Sequence, residues 1–200
     1  MTDLFKEKAQ DWDANDMVRG LSIGIGAAIH ANVKLDNSMT VMDFGAGTGL
    51  ITSQIADQVE RVIAVDVSQA MLDKLMAKAD LHGQVEALCR NILENPLSDR
   101  FDLIVSAMAL HHVENTEQLI ACFAEHLKPG GKIALADLDA EDGTFHPADI
   151  QGVYHHGFNQ DAFRSILSEQ GFKDIHFVTA HTVNKGDKAY PVFLVVAKRA

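Results

Sequence analysis

Short runs rich in β-branched residues alternate along the chain with stretches in which apolar residues recur every three or four positions. The first pattern predicts β-strands and the second predicts amphipathic helices. Alternation of the two is typical of a parallel sheet covered by helices. We therefore predict an α/β fold whose first five strands are parallel and cover Thr40 to Phe44, Arg61 to Val65, Val85 to Cys89, Phe101 to Ser106 and Lys132 to Ala136.

The stretches between these runs predict the helices. One lies within residues 18–29, and a second begins after the cap-like Ser68. A third is expected from Glu117 to Leu127. It should end at the segment 128–131, Lys-Pro-Gly-Gly, because proline and glycine stop a helix and turn the chain.

The C-terminal third has a different pattern. After a helix at residues 159–170, the runs Ile175 to Ala180 and Pro191 to Ala197 flank a turn-prone Asn-Lys-Gly-Asp segment and predict an antiparallel hairpin at the sheet edge. We expect one domain over residues 1–200, with a doubly wound, Rossmann-like, seven-stranded and mostly parallel sheet. Residues 139–157 have little periodicity, which is typical of a functional loop.

Composition narrows the possible partners. The formal net charge of −11 disfavours nucleic acid, since such binding depends on Lys and Arg neutralising phosphates. Charged residues make up 22% of the chain and interrupt its apolar stretches, so no membrane span is expected.

The N-terminus lacks a basic start followed by an apolar run, so we expect a cytoplasmic protein. Cys89 and Cys122 are predicted to be buried and reduced.

The segment after the first predicted strand is rich in glycine. Asp43 is followed by Gly45, Gly47 and Gly49, and such a turn between strand and helix is typical of a nucleotide-type site. A dinucleotide fingerprint would place a third glycine at position 50, which is Leu50, and a P-loop would need a lysine that is absent between residues 34 and 74. Neither a dinucleotide nor a triphosphate is therefore favoured.

A carboxylate ends the second predicted strand. Asp66 should lie beside the glycine segment, where it can accept hydrogen bonds from both hydroxyls of a ribose. A ribose without a phosphate clamp indicates an adenosine thioether or sulfonium. The alternative is that these residues simply close a connection between strand and helix.

With these motifs the chain resembles the class I S-adenosylmethionine-dependent methyltransferases, in particular the small-molecule branch that includes ubiquinone/menaquinone-biosynthesis-like enzymes. The resemblance covers roughly residues 5–138 and implies S-adenosylmethionine as cofactor, a small-molecule acceptor and an N-terminal helical lid at residues 1–35. It rests on the segments Phe5 to Asp13, Val41 to Gly49, Val62 to Val67, Phe101 to Ser106 and Leu127 to Lys132.

Matched by position, the resemblance implies a set of cofactor contacts. The glycine segment would contact the methionine part, Asp66 the ribose and Val67 the adenine. Asn91 stands where the family usually has Asp, but its amide oxygen can still accept from an exocyclic amine. Trp12 either folds over the cofactor or packs the N-terminal helix. The full set is Asp43, Gly45, Ala46, Gly47, Thr48, Gly49, Asp66, Val67, Asn91, Ile92, Met108 and Trp12.

Methyl transfer is an in-line displacement that depends mainly on positioning, and a base is needed only when the acceptor must lose a proton. His111 and His112 follow the fourth strand and are candidate bases; alternatively, they anchor the next helix.

The irregular segment supplies candidates for substrate contact, namely Tyr154, His155, His156 and His146. The histidines lack metal-ligand spacing on one helix face, so we predict no metal site. The main alternative to an enzyme is a noncatalytic S-adenosylmethionine-binding or regulatory protein of the same fold.

Overall fold

Seven strands pair into one sheet in the computed structural model, which describes residues 3–81, 83–147 and 149–200. Met1, Thr2 and Ala148, which fall within the predicted lid and substrate segments, lie outside the described residues, as does His82. The strands are β1 (Thr40–Phe44), β2 (Arg61–Asp66), β3 (Val85–Cys89), β4 (Phe101–Ala107), β5 (Leu127–Leu138), β6 (Phe172–Lys185) and β7 (Lys188–Arg199).

The strand order is β3-β2-β1-β4-β5-β7-β6. Strands β1 to β5 pair in parallel, whereas β7 pairs antiparallel with both β5 and β6. The predicted fold, a mostly parallel doubly wound sheet with an antiparallel hairpin at one edge, is confirmed. Because β1, β2, β4 and β5 run in the same direction, their carboxyl ends lie at one edge of the sheet.

Helices cover both faces of the sheet. They are α1 (Asp16–Asn32), α2 (Thr52–Ile55), α3 (Gln69–Met76), α4 (Thr116–His126) and α5 (Gln160–Glu169). Successive strand residues face opposite layers: Val41 packs in the cluster with α1, α2 and α3, and Met42 packs in the cluster with α4 and α5. The near-continuous apolar runs in the strands follow from this burial on both faces. In the described part of the chain, no helix combines the length and apolarity that a membrane crossing requires.

Side-chain caps mark where the longer helices begin. Asn15, Asn115 and Asn159 each accept backbone N–H groups of the first turn of α1, α4 and α5, and Ser68 does so for α3 as predicted.

Two local predictions are wrong. The segment 128–131 does not turn the chain between α4 and a later strand; α4 ends at His126 and β5 begins directly at Leu127. The register between β4 and β5 shifts there, so the Pro-Gly-Gly sequence lies in an irregular part of the strand. Cys89 is exposed, not buried, because it ends the edge strand β3.

Helix α4 packs against the end of β1 through an aromatic contact. Phe123 is fully buried, and its ring centroid lies 5.1 Å from that of Phe44 at the end of β1. We expect Phe123→Ala to lower the free energy of unfolding by about 3–5 kcal/mol, because it leaves a cavity in the core. The exposed Glu125→Ala on the same helix should change it by less than about 0.5 kcal/mol. Guanidinium denaturation followed by circular dichroism measures both; equal effects would contradict this packing.

Candidate functional site

The glycine segment forms a tight turn at the carboxyl end of β1. The backbone N–H groups of Gly45 and Ala46 both donate to Val65 O, which fixes the turn against β2. Gly45 has a φ of 68°, and a Cβ there would lie 2.3 Å from the Cβ of Ala109. Gly47 also has positive φ, but no atom lies within 4 Å of the position of its Cβ. The middle of the turn therefore faces open space. A glycine is required at position 45, because the glycine turn lies there against the turn that contains Ala109.

Asp66 joins this turn to the start of α3. Its Oδ2 accepts the Gly47 N–H at 2.8 Å, and its Oδ1 accepts the Ser68 N–H at 2.8 Å. Burial raises the pKa of Asp66 above its usual value, although these backbone hydrogen bonds act in the opposite direction. Each carboxylate oxygen can accept a further hydrogen bond from a ligand.

A cavity of about 630 Å³ lies beside Asp66 at the ends of β2 and β3, and Val67, 56% exposed, forms part of its wall. Asn91 lines it too, but its amide nitrogen donates to Glu94 and its oxygen accepts the Leu93 N–H. Ile92 points into the core instead. The lining residues are Val67, Cys89, Arg90, Asn91, Glu94, Asn95 and Pro96.

The N-terminal segment crosses the glycine turn. Asp13, next to Trp12, accepts a hydrogen bond from the buried Thr48 hydroxyl and pairs with Lys78 Nζ at 2.9 Å. The half-buried Trp12 contacts Phe5 edge-on, and the Phe5 ring in turn contacts His112 at 5.2 Å between centroids. This segment therefore contacts the turn, Lys78 just after α3, and His112.

A strained turn carries the histidines. Met108, directly after β4, has a φ of 57°, which is unusual for a residue with a side chain. Its N–H donates to Ala136 O, so the turn is fixed against β5. The strain brings residues 110–112 over the carboxyl ends of β4 and β5.

His111 is fixed by the buried Asp137 at the end of β5. The exposed fractions of the two side chains are 2% and 0%, and His111 Nδ1 lies 2.8 Å from Asp137 Oδ1. The backbone N–H of His111 donates to Asp137 Oδ2 at 3.2 Å. His111 Nε2 has no hydrogen-bond partner among the described residues. This is the arrangement in which a carboxylate orients an imidazole and leaves its other nitrogen free for chemistry.

His112 and His146 surround His111, with ring centroids 4.1 and 5.0 Å from it. His112 Nδ1 donates to Gly152 O at 2.6 Å. Burial, followed by the charge of His111, lowers the pKa of both His112 and His146 to about 4. Both rings are therefore neutral at pH 7.

The predicted substrate residues are divided by the structure. Tyr154 is exposed, and its N–H donates to His111 O. His155 Nε2 lies 2.9 Å from Val113 O, so it anchors the segment rather than facing a ligand. His156 is exposed, and its Nδ1 lies 3.6 Å from Glu141 Oε1. Within the described ranges, no group of three His, Cys, Asp or Glu side chains could hold a metal ion.

Sequence reasoning did not single out Asp13, Asp137 and Glu141. Asp137 could have been predicted as a site residue from the sequence, because an acid at the end of a buried parallel strand must lie at the same sheet edge as the histidines. Asp13 and Glu141 lie in irregular segments, where periodicity gives no position.

Residues 41–131 match the family described as methyltransferase domain. The chain is 31% identical over 190 residues to the cypemycin N-terminal methyltransferase of Streptomyces sp., covering 92% of this chain and 71% of that relative. The chain belongs to the class I S-adenosylmethionine-dependent methyltransferase family.

One further relative and one solved structure are also similar to this chain. The methyltransferase chain is 32% identical over 137 residues to an uncharacterized methyltransferase of Schizosaccharomyces pombe, covering 60% of this chain and spanning about half of that relative (48%). Its fold is similar to that of phosphoethanolamine N-methyltransferase 2 of Haemonchus contortus, solved in complex with S-adenosyl-L-methionine. The TM-score is 0.72 at 16% identity, over 98% of this chain and 60% of that one.

Asp43 makes the stability of this methyltransferase depend on pH. It is buried below the glycine turn, where Thr52 Oγ1 donates to it at 2.6 Å, and burial raises its pKa from 3.8 to about 7. Between these values the folded state binds more protons than the unfolded state. The Asp43 carboxyl therefore makes the free energy of unfolding fall as the pH rises from about 4 to about 7.

Asp43→Asn removes this dependence. We expect the free energy of unfolding of the variant, relative to the native protein, to rise by up to about 1.4 kcal/mol per pH unit across that window. Urea denaturation at a series of pH values measures the difference. The exposed Asp57→Asn should show a flat difference, and a flat difference for Asp43→Asn would contradict the raised pKa.

Proposed function

We propose that this protein uses S-adenosylmethionine as methyl donor and transfers the methyl group to a small molecule. The observation that carries the proposal is that the Asp66 carboxylate accepts the Gly47 N–H of the glycine turn, while the next residue, Val67, lines the 630 Å³ cavity. A carboxylate there can accept the two hydroxyls of a ribose, and the cavity has room for the adenine beside Val67. We further propose a single domain of residues 1–200 in the small-molecule branch of the family.

The residues present are suited to this donor. Open space at Gly47 leaves room for the methionine part along the turn formed by residues 45–49. Asp43, at the end of β1 before this turn, is bonded to Thr52 at the start of α2. Asn91 would meet the adenine at the far side of the cavity, and Ile92 would support it from the core. The segment from Phe5 to Asp13 would act as the lid over donor and turn, with Trp12 inside it.

When bound, the donor supplies an electrophilic methyl group on a sulfonium. The chain then has to hold the acceptor, exclude water and remove a proton where the acceptor carries one. His111 Nε2 is available for that proton, since Nδ1 is held by Asp137. The segment of residues 139–157 would contact the acceptor through its buried side chains, with Met108 between the two sites. A noncatalytic role is not favoured, because a buried and oriented imidazole with a free nitrogen serves no purpose in binding the donor.

The net charge of −11 supports a small molecule over nucleic acid as acceptor, and a cytoplasmic location remains part of the proposal.

Calorimetric titration with S-adenosylhomocysteine tests the donor site. We expect the native protein to bind S-adenosylhomocysteine saturably and not to bind NADH. Asp66→Asn should weaken the affinity about 10- to 100-fold, because it removes charge-assisted hydrogen bonds to the ribose. The matched control is Asp73→Asn on α3, an exposed carboxylate whose loss should have little effect. Undiminished binding by Asp66→Asn, or no binding by the native protein, would overturn the proposed donor site.

A further inference from the structure

Three buried side-chain atoms in the described part of the chain lack a hydrogen-bond partner: His111 Nε2, His146 Nε2 and Glu141 Oε1. The His111 and Glu141 side chains are only 2% and 8% exposed. An unpartnered buried polar atom destabilises the folded state, so it calls for an explanation. All three belong to the segment and turn that surround the proposed acceptor site.

The hydrogen-bond pattern makes two of these atoms acceptors. Asp137 receives N–H groups from His111 and Leu138 in addition to the imidazole, as an ionised carboxylate does. The His111 imidazole therefore donates from Nδ1 to Asp137, and in the tautomer whose single proton is on Nδ1 its Nε2 has a lone pair. Glu141 Oε2 accepts the N–H groups of Thr144 and Phe145, which fixes the carboxylate and leaves Oε1 free.

His146 completes the group. Its ring is neutral at pH 7, because burial lowers its pKa to about 4, so its Nε2 can also accept when the proton is on Nδ1. Its ring centroid lies 5.0 Å from that of His111, and the Glu141 carboxylate accepts the N–H of Phe145, the residue before His146. The two imidazoles are therefore adjacent, and the carboxylate is bonded to the backbone next to one of them.

The charges around these atoms favour a cation. Within the described residues, neither Asp137 nor Glu141 forms an ion pair with a lysine or arginine. The nearby Lys185 Nζ donates to Phe145 O at 2.6 Å and lies 3.8 Å from the centre of the Phe145 ring instead. His156 Nδ1, at 3.6 Å from Glu141 Oε1, is beyond hydrogen-bond distance. In the described part of the chain, neither carboxylate is therefore in a direct ion pair with a lysine or arginine, although Lys185 is close enough to Glu141 for the two charges to interact.

We propose that the methyl acceptor is a primary amine, held as an ammonium group whose N–H donors bind His111 Nε2, His146 Nε2 and Glu141 Oε1. An ammonium offers three N–H donors and a positive charge, whereas a hydroxyl offers one O–H donor and no charge. The inference rests on the proposed function, because it names the acceptor class of that same site.

The reaction balances with the groups present. His111 Nε2 takes one proton from the ammonium, while Asp137 stabilises the resulting imidazolium. The amine lone pair forms the new N–C bond as the C–S bond of the sulfonium breaks and its electron pair returns to sulfur. The product leaves as a methylated ammonium, and His111 gives its proton to water.

Nitrogen-15 NMR of histidine-labelled protein tests the inference with the smallest matched probes. Methylammonium chloride, tetramethylammonium chloride and methanol are each added at constant ionic strength, with and without saturating S-adenosylhomocysteine. We expect saturable shifts of the His111 and His146 imidazole signals with methylammonium alone. Tetramethylammonium has the charge without N–H donors, and methanol has one donor without the charge.

Two variants separate the specific carboxylate from general charge. Glu141→Gln keeps an oxygen for Thr144 and Phe145 but replaces Oε1 with a donor, so the affinity for methylammonium should fall about tenfold. Asp142→Asn removes the same charge one residue away, on a side chain that is 62% exposed and paired with Lys188. It should change the affinity by less than about twofold.

The outcomes are distinct. Equal shifts with methanol or with tetramethylammonium, no saturable shift with methylammonium, or equal losses in Glu141→Gln and Asp142→Asn would each overturn the amine inference. Failure of S-adenosylhomocysteine to bind would instead contradict the proposed function. In that case the ammonium titration of the free protein still tests these three acceptor atoms.

Discussion

Parallel pairing of β1, β2, β4 and β5 is the constraint on which the rest of the structure depends. It places four strand ends, and the turns that follow them, at one edge of the sheet. The glycine turn, Asp66, the Met108 turn and Asp137 come from distant parts of the sequence and meet only because of this pairing. Two turns meet so closely at Gly45 that no side chain could be accommodated there.

The same edge carries the unfavourable features of the molecule. Asp43 and Asp137 are buried acids, Met108 has a left-handed backbone, and His111 Nε2 has no hydrogen-bond partner among the residues that the structure describes. Each of these costs free energy that the two apolar layers on either side of the sheet must offset. Such concentration of strain and buried charge is typical of functional sites, and here it coincides with the residues proposed to hold donor and acceptor.

The sequence was sufficient for the fold because the strand runs are short, strongly apolar and separated by helical periods. All seven strands were predicted within a few residues at most ends, and the edge hairpin was predicted too. The segment 128–131 was misassigned because proline and glycine indicate a turn locally but not whether a strand continues through it. Cys89 was misassigned because apolar neighbours do not distinguish an edge strand from a central one.

The donor side of the site was also accessible from the sequence, since a glycine turn and an acid at the ends of adjacent strands are local signals. The acceptor side of the site could not be predicted from the sequence. Asp137 and Glu141 gain their meaning from contacts with His111 and His146, which are formed across loops without periodic patterns. The orientation of the two histidine rings, and the buried atoms that these contacts leave without a partner, cannot be read from the sequence.

A crystal structure with S-adenosylhomocysteine tests the central claim, that the edge formed by the turn and Asp66 is the donor site. The account predicts both ribose hydroxyls at hydrogen-bond distance from the Asp66 carboxylate and the adenine in the cavity beside Val67. The sulfur should then face the turn that carries His111. A ligand bound elsewhere, or one whose ribose does not contact Asp66, would contradict it.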